Sequence, residues 1–159
     1  MEIKKLHKGF TLIELLLVMA VLAVVGGITS TFLFGTKTNA ALEEDARQIA
    51  NILKTAQNRA TTLEEGTQWG VHFDNLGADP FYELFWGISY ETGTTTDRIY
   101  LGSSVVFQIP PAASSTNIVF SKRMGNPSNG TSTTIIVRDI IHQATKTITV
   151  SPIGRVTVQ

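Results

Sequence analysis

Few residues in this 159-residue sequence have the type and spacing to do chemistry. Glu14 is the most unusual, because the 22 residues between it and Lys37 carry no charge. A carboxylate within an apolar helix costs about 2.5 to 3.5 kcal/mol at mid-bilayer, and less near the interface where this one falls, so it is retained for a partner or a function. His72 and Asp74 lie two apart on an expected strand, share a face, and form the beginning of a metal or acid–base arrangement. Nothing in the sequence completes it. His142 has no recognisable partner and His7 falls in the basic N-terminal stretch, so structural or surface roles are expected of all three. There is no G-x-S-x-G elbow and no phosphate-binding glycine loop. With no cysteine, disulfides, thiolate zinc sites and cysteine nucleophiles are excluded. No catalytic residue, metal or cofactor is expected, and the chain is not expected to be an enzyme. Thirteen basic against thirteen acidic residues leave none of the bulk positive field that non-specific nucleic-acid binding requires.

The element that must position Glu14 is a long helix. Residues Met1 to Gly9 carry Lys4, Lys5 and Lys8 against only Glu2, and from Phe10 the composition turns apolar. At about 1.5 Å per residue the charge-free run is about 33 Å long, close to the roughly 30 Å of a bilayer's hydrocarbon. Lysines before the run and none close behind it favour a cytoplasmic N-terminus, with residues from about Lys37 exported. An ordinary cleaved signal peptide and an ordinary single-pass anchor both fit the periodicity. Glu14 counts against both, since neither supplies it a partner. The run is also long for a signal peptide, and Gly26, Gly27 and Ser30 lie too deep for a cleavage site.

Gly9-Phe10-Thr11-Leu12-Ile13-Glu14, after a short basic leader and before a long apolar run, resembles the class III signal of type IV pilins and type II secretion pseudopilins. The resemblance implies cleavage after Gly9 by a prepilin peptidase at the cytoplasmic face, where Lys4, Lys5 and Lys8 hold the scissile bond, and N-methylation at Phe10. It further implies that Glu14 accepts the charged N-terminal amine of Phe10 on a neighbouring subunit during filament assembly. Two opposite charges that are each costly in hydrocarbon become tolerable when paired, which agrees with that role. The implied partners are other pilin or pseudopilin subunits, the prepilin peptidase, an inner-membrane assembly platform and the lipid bilayer, with nucleic acid only in a competence pilus. Many Gram-negative major pilins carry a proline within this helix, but here Thr31 stands in the corresponding region and the first proline is Pro80. Gly26 and Gly27 either weaken the helix or allow close helix packing.

Beyond the apolar run, Leu42, Ala46, Ile49, Leu53, Ala56 and Ala60 alternate at spacings of four and three, one stripe of an amphipathic helix. The helix is expected from near Phe10 to about Leu63, ending near Gly66 as a C-cap, with Glu43 to Asp45 on a solvated face. From Thr67 onward short alternating runs give eight expected strands: Trp69 to Phe73, Tyr82 to Tyr90, Arg98 to Leu101, Val105 to Ile109, Ile118 to Ser121, Thr134 to Val137, Thr147 to Val150 and Val156 to Val158. The first two form a hairpin through Asn75 to Pro80, and Thr92 to Asp97 is the next turn. Arg123 to Ser132, rich in glycine and asparagine, is expected to be exposed and disordered. Lys122 and Arg123 are either a solvated strand edge or a basic patch with Arg138 or Arg155, and Asn129-Gly130-Thr131 is a formal glycosylation sequon.

The expected fold is α+β: a long N-terminal helix, half transmembrane and half amphipathic, packed on an antiparallel β domain. The expected divisions are a leader over 1–9, a transmembrane and assembly half over 10–36, an amphipathic half over 37–66 and a β domain over 67–159. The order of elements, closing on Ile148 to Val158, resembles the pseudopilin H and FimT-like minor pilins, while the absence of a C-terminal cysteine pair departs from many major pilins. The expected role is a structural subunit, minor rather than major, of a type IV pilus or a type II secretion-like pseudopilus. Such a subunit starts as a single-pass protein of the inner (plasma) membrane with its β domain outside, then enters a filament at the cell surface or in the periplasm. A membrane-anchored binding or sensor domain that never polymerises is the alternative, and a secreted β-sandwich enzyme a third. Intact Met1, methylated Phe10 or a start after about Gly26 separates the three.

Overall fold

The computed structural model describes residues 11–96 and 98–159, and among these the side chains of 26–39 are outside the description. The leader, Gly9 and Phe10 therefore lie outside the described residues. The chain divides into two compact units, Met1–Lys37 and Thr38–Gln159. Helix α1, Leu12–Thr61, contributes to both. Thr11 caps its start: the Glu14 N–H donates to Thr11 Oγ1 at 3.3 Å and to Thr11 O at 3.1 Å.

In the second unit the stripe from Leu42 to Ala60 is buried along its whole length, joined by Ala50. Alanines at 46, 50, 56 and 60 let the sheets approach the helix closely, while Ile49 and Leu53 fill the centre. The helix stops at Thr61, short of the expected Leu63. Leu63 turns left-handed at φ 59° and Glu64–Gly66 form one 3-10 turn. The indole N–H of Trp69 donates to Glu64 O at 2.9 Å, so the chain turns early to bury Trp69.

Among the described residues nine strands follow rather than eight, all pairing antiparallel. The first sheet holds β1 (Trp69–Asn75), β2 (Phe81–Trp86), β3 (Thr94–Thr95), β4 (Ile99–Tyr100) and β6 (Ser114–Phe120), in the order β3-β2-β1-β6 with β4 also on β2. The second holds β5 (Val105–Ile109), β7 (Thr133–Asp139), β8 (Thr145–Val150) and β9 (Val156–Val158), in the order β5-β7-β8-β9. Alternate residues of both sheets and the apolar stripe of α1 share one core. This is the α+β architecture expected.

Two expectations need correction. The run from Tyr82 does not continue as a strand to Tyr90: β2 ends at Trp86, Gly87 turns at φ 137°, and Tyr90 folds back over the outer face of the first sheet. A Cβ on Gly87 would sit 2.8 Å from Gly93 Cα, so two glycines pinch this loop shut. Nor is Arg123 to Ser132 a free loop. Gly125 and Pro127 are buried, Arg123 N–H donates to Ala60 O at 3.1 Å, Gln57 Nε2 donates to Gly125 O at 2.8 Å, and Pro127 bridges to Phe120. Its turn residues let it dock on the end of α1, and exposure begins only at Ser128 apart from the Lys122–Met124 tip.

Candidate functional site

Two places gather the sequence's chemistry. The first is the start of α1, where every large apolar side chain from Leu12 to Val24 is exposed. Glu14 lies in the first turn, where the positive end of the helix dipole favours a carboxylate. Among the described residues no cation pairs with it. Among those residues, too, no helix is long and apolar enough to cross a membrane. The described apolar side chains run over 14 residues, Leu12–Val25, about 21 Å of helix. The remainder of the expected 22-residue span falls on residues 26–36, whose side chains lie outside the description.

The second place is the outer face of the first sheet. Phe73, Val71 and Trp69 turn into the core, which leaves His72 and Asp74 on the opposite face of β1, with Glu83 of β2 and Asn117 of β6 directly beside His72. His72 Nδ1 lies 2.6 Å from Asn117 Oδ1 and Nε2 lies 3.6 Å from Asp74 Oδ2, so the expected pair does meet. Tyr90 stacks on the imidazole at 3.6 Å and 8°. Its hydroxyl donates to Glu83 Oε1, and Arg98 Nε reaches Glu83 Oε2 at 3.4 Å. Burial, then the bond to Glu83, pushes the Tyr90 hydroxyl up to about 12. The Arg98 guanidinium in turn lies over Phe81 at 4.3 Å.

This cluster satisfies itself. Each buried polar atom in it has an internal partner, and among the described residues no group of three His, Asp or Glu could hold a metal ion. It is a polar clasp that pins the 87–93 loop to the sheet. Sequence spacing found His72 and Asp74 but not Glu83, Asn117, Tyr90 or Arg98. A two-residue offset on one strand is visible in sequence, whereas cross-strand register and a folded-back loop are not.

Other expected residues also find partners. His142 Nδ1 lies 3.2 Å from Oδ2 of Asp139, a fully buried carboxylate that also accepts from Ile141 N–H at 2.9 Å. The missed signal is an Asp three residues before a His at a hairpin turn. Of the acidic cluster Glu44 is exposed as expected, but Glu43 is half-buried and Asp45 buried. Glu43 pairs with Lys146 of β8 at 2.8 Å and Arg47 at 3.1 Å, which hold its carboxyl below the usual range. Asp45 accepts from Gly102 N–H at 3.1 Å, and its burial pushes its pKa up. Lys122, Arg123 and Arg155 are exposed at loops that meet through Gly125 and Gly154. Arg138 is not with them: it pairs with Thr145, at the end of β7 away from Thr133↔Val150. In the sequon, Asn129 is exposed and its Oδ1 accepts from Thr131 N–H at 3.1 Å.

Residues 4–30 match the family model described as the prokaryotic N-terminal methylation motif. No curated protein sequence is significantly similar to this chain. Among solved structures, the type IV minor pilin FimU of Pseudomonas aeruginosa is similar, with 12% identity, 74% of this chain and 92% of that chain covered, and a TM-score of 0.52. At that identity the likeness is one of fold. The chain thus joins a segment that matches the methylation motif to a domain that shares the fold of that minor pilin.

Proposed function

We propose that this protein is a minor subunit of a type IV pilus or a type II secretion-like pseudopilus. In this reading residues 1–9 are a leader removed by prepilin peptidase after Gly9, and Phe10 becomes the N-methylated terminus. Residues 10–36 anchor the subunit in the plasma membrane before assembly, with the N-terminus cytoplasmic. Residues 37–66 join that segment to the β domain of 67–159, which lies outside. Assembly moves the apolar face of α1 from lipid onto neighbouring helices, with Glu14 paired to the Phe10 amine of the next subunit. An assembly platform in the membrane receives the processed subunit.

The observation that carries this reading is Glu14 itself: one carboxylate on an exposed apolar helix surface, inside the segment 4–30 that matches the methylation motif. Helix-rich surface of this kind needs lipid or other helices to cover it, and the lone acid needs a cation. N-terminal mass measurement of the protein from its native membrane tests the processing, with methylated Phe10 expected. Intact Met1, or a start after about Gly26, would overturn it. Glu14→Leu then tests the pairing: the variant is expected to be processed yet lost from sheared filaments, and wild-type filament incorporation would remove the charge pair.

A further inference from the structure

We infer that the loops at 122–124 and 153–155 form one docking surface for a lipid bilayer with anionic headgroups: Met124 and Ile153 enter the interface while Lys122, Arg123 and Arg155 lie against the phosphates. The inference concerns the Thr38–Gln159 unit alone and does not depend on whether the chain polymerises.

The two loops are built alike. Met124 precedes Gly125 at φ 67°, and Ile153 precedes Gly154 at φ 85°. Both glycines are buried, and a Cβ on Gly154 would sit 2.3 Å from Gly125 O, so the loops touch at their bases. The residues before the glycines stand out from that contact, Met124 80% and Ile153 79% exposed. Cations flank both: Lys122 and Arg123 come just before Met124, and Arg155 follows Gly154. All three are exposed, and among the described residues none has a carboxylate partner. Neither 121–132 nor 151–159 contains an acidic residue. The acids that follow the end of α1 are Glu64, held by Arg59 at 3.5 Å, and Glu65, so positive charge predominates here.

Both loops are held before any partner arrives. Gln57 Nε2 donates to Gly125 O at 2.8 Å, Arg123 N–H to Ala60 O at 3.1 Å and Gly125 N–H to Ser121 O at 3.0 Å. In the second loop Gly154 N–H donates to Ser151 O at 2.8 Å and Ser151 N–H to Arg155 O at 2.9 Å. Apolar side chains on such fixed supports cost little further ordering when they dock. Size and charge decide what they enter. A stable protein interface takes about 800 Å² from each partner, and two apolar side chains supply far less of a core than that. The loops carry no aromatic ring on which a base could stack. A bilayer asks for no matching shape: apolar side chains sink to the acyl boundary, long basic side chains stay with the headgroups, and the two attractions add.

The full-length chain, its apolar helix held in phosphatidylcholine nanodiscs, is mixed with protein-free vesicles. Co-sedimentation is expected with vesicles that contain phosphatidylglycerol, weakening as salt is raised, and is expected to be absent with phosphatidylcholine alone. Lys122→Gln with Arg155→Gln is expected to weaken binding at least tenfold, since each cation near an anionic surface is worth about fivefold in affinity. Met124→Gln with Ile153→Gln is expected to weaken it by at least about tenfold as well. Lys54→Gln, on the exposed side of α1, is expected to leave it unchanged. These side chains are all exposed, so every variant is expected to melt with the wild type. The chain has no cysteine, so a fluorophore attached to Met124→Cys reports on the tip alone. Its emission is expected to shift to the blue on anionic vesicles and to be quenched by nitroxides on the acyl chains. Equal binding to both kinds of vesicle, undiminished binding of Met124→Gln/Ile153→Gln, or a fluorophore that stays in water on bound vesicles would each overturn the docking. Binding to duplex DNA with no binding to anionic vesicles would overturn it too, and would assign the three cations to a nucleic acid.

Discussion

Tyr90 lies flat on His72, with ring centroids 3.6 Å apart and planes 8° from parallel, and its edge meets Phe85 at 5.5 Å and 78°. The two stacked rings come from β1 and from the loop after β2, so the contact closes a second, smaller core on the outer face of the first sheet. Beneath it Phe85 and Glu83 are buried even though the main core occupies the sheet's other side. The tyrosine supplies apolar cover with its ring and a hydrogen bond to the otherwise costly Glu83 carboxylate with its hydroxyl.

Tyr90→Phe separates those two contributions. The ring stack and the contact with Phe85 survive, but Glu83, only 2% exposed, keeps Arg98 alone at 3.4 Å. A buried acceptor that loses its donor costs about 1 to 3 kcal/mol. Urea unfolding of the detergent-solubilised chain, followed by fluorescence of Trp69 and Trp86, measures it. The wild type is also expected to lose stability as pH rises from the ordinary tyrosine range toward about 12, because its folded-state pKa is raised and the folded chain holds the proton longer. Tyr90→Phe is expected to show less of that alkaline loss, the remainder arising at Tyr82, which burial also pushes up.

The same loop shows what was legible in the sequence. Period-two alternation located β5 and β9 to the residue and the hairpin of β1 and β2, because each strand faces one core. It also ran on from Trp86 to Tyr90, since a residue that folds back to bury its ring keeps the same apolar spacing as one that continues a strand. Ile88, 85% exposed at the loop's tip, is where the pattern misled. The stripe from Leu42 to Ala60 was fully legible because helical period and burial coincide there. The partners of Asp45, Glu43 and His142 were not, because a carboxylate's cost of burial depends on contacts such as Gly102 N–H and Lys146, which lie far along the chain or across a turn.

Asp45 gives a pH prediction of definite sign. Burial raises its folded-state pKa above the ordinary aspartate value, so in acid the folded chain binds the proton more readily than the unfolded one. Its contribution to stability is therefore greatest below about pH 4 and falls as pH rises through the folded-state pKa. Asp45→Asn keeps an oxygen to accept from Gly102 N–H and removes the charge. The variant is expected to melt higher than wild type at pH 7 and to converge with it near pH 3. Melting curves across that range check it, and a lower melting point at pH 7 would mean that the charged form is what holds Gly102.

Leu53→Ala tests whether the distal half of α1 is core rather than linker. Leu53 is fully buried in the stripe shared with both sheets. Truncation leaves a cavity and is expected to cost about 2 to 5 kcal/mol. Lys54→Ala, one position on and exposed, is expected to change stability by less than about 0.5 kcal/mol. Equal effects would mean that the helix does not pack on the sheets along this stripe.

Gly154 and Gly130 form the sharpest comparison, because both adopt positive φ, 85° and 66°, but in different surroundings. Around Gly130 nothing lies within 4 Å of where a Cβ would be, so Gly130→Ala pays only the left-handed backbone penalty of about 1 to 2 kcal/mol. A Cβ on Gly154 would collide with Gln57 Nε2 and Gly125 O, the two partners of the hydrogen bond that seats the 121–126 loop on α1. Gly154→Ala therefore adds to the same backbone penalty the loss of that bond, about 0.5 to 1.5 kcal/mol, and the displacement of the loop carrying Met124. Its destabilisation is expected to exceed that of Gly130→Ala, with faster amide exchange at Arg123 and Gly125, whose N–H groups donate to Ala60 O and Ser121 O. Equal destabilisation and unchanged exchange would show that the turn after β8 yields without disturbing the tip.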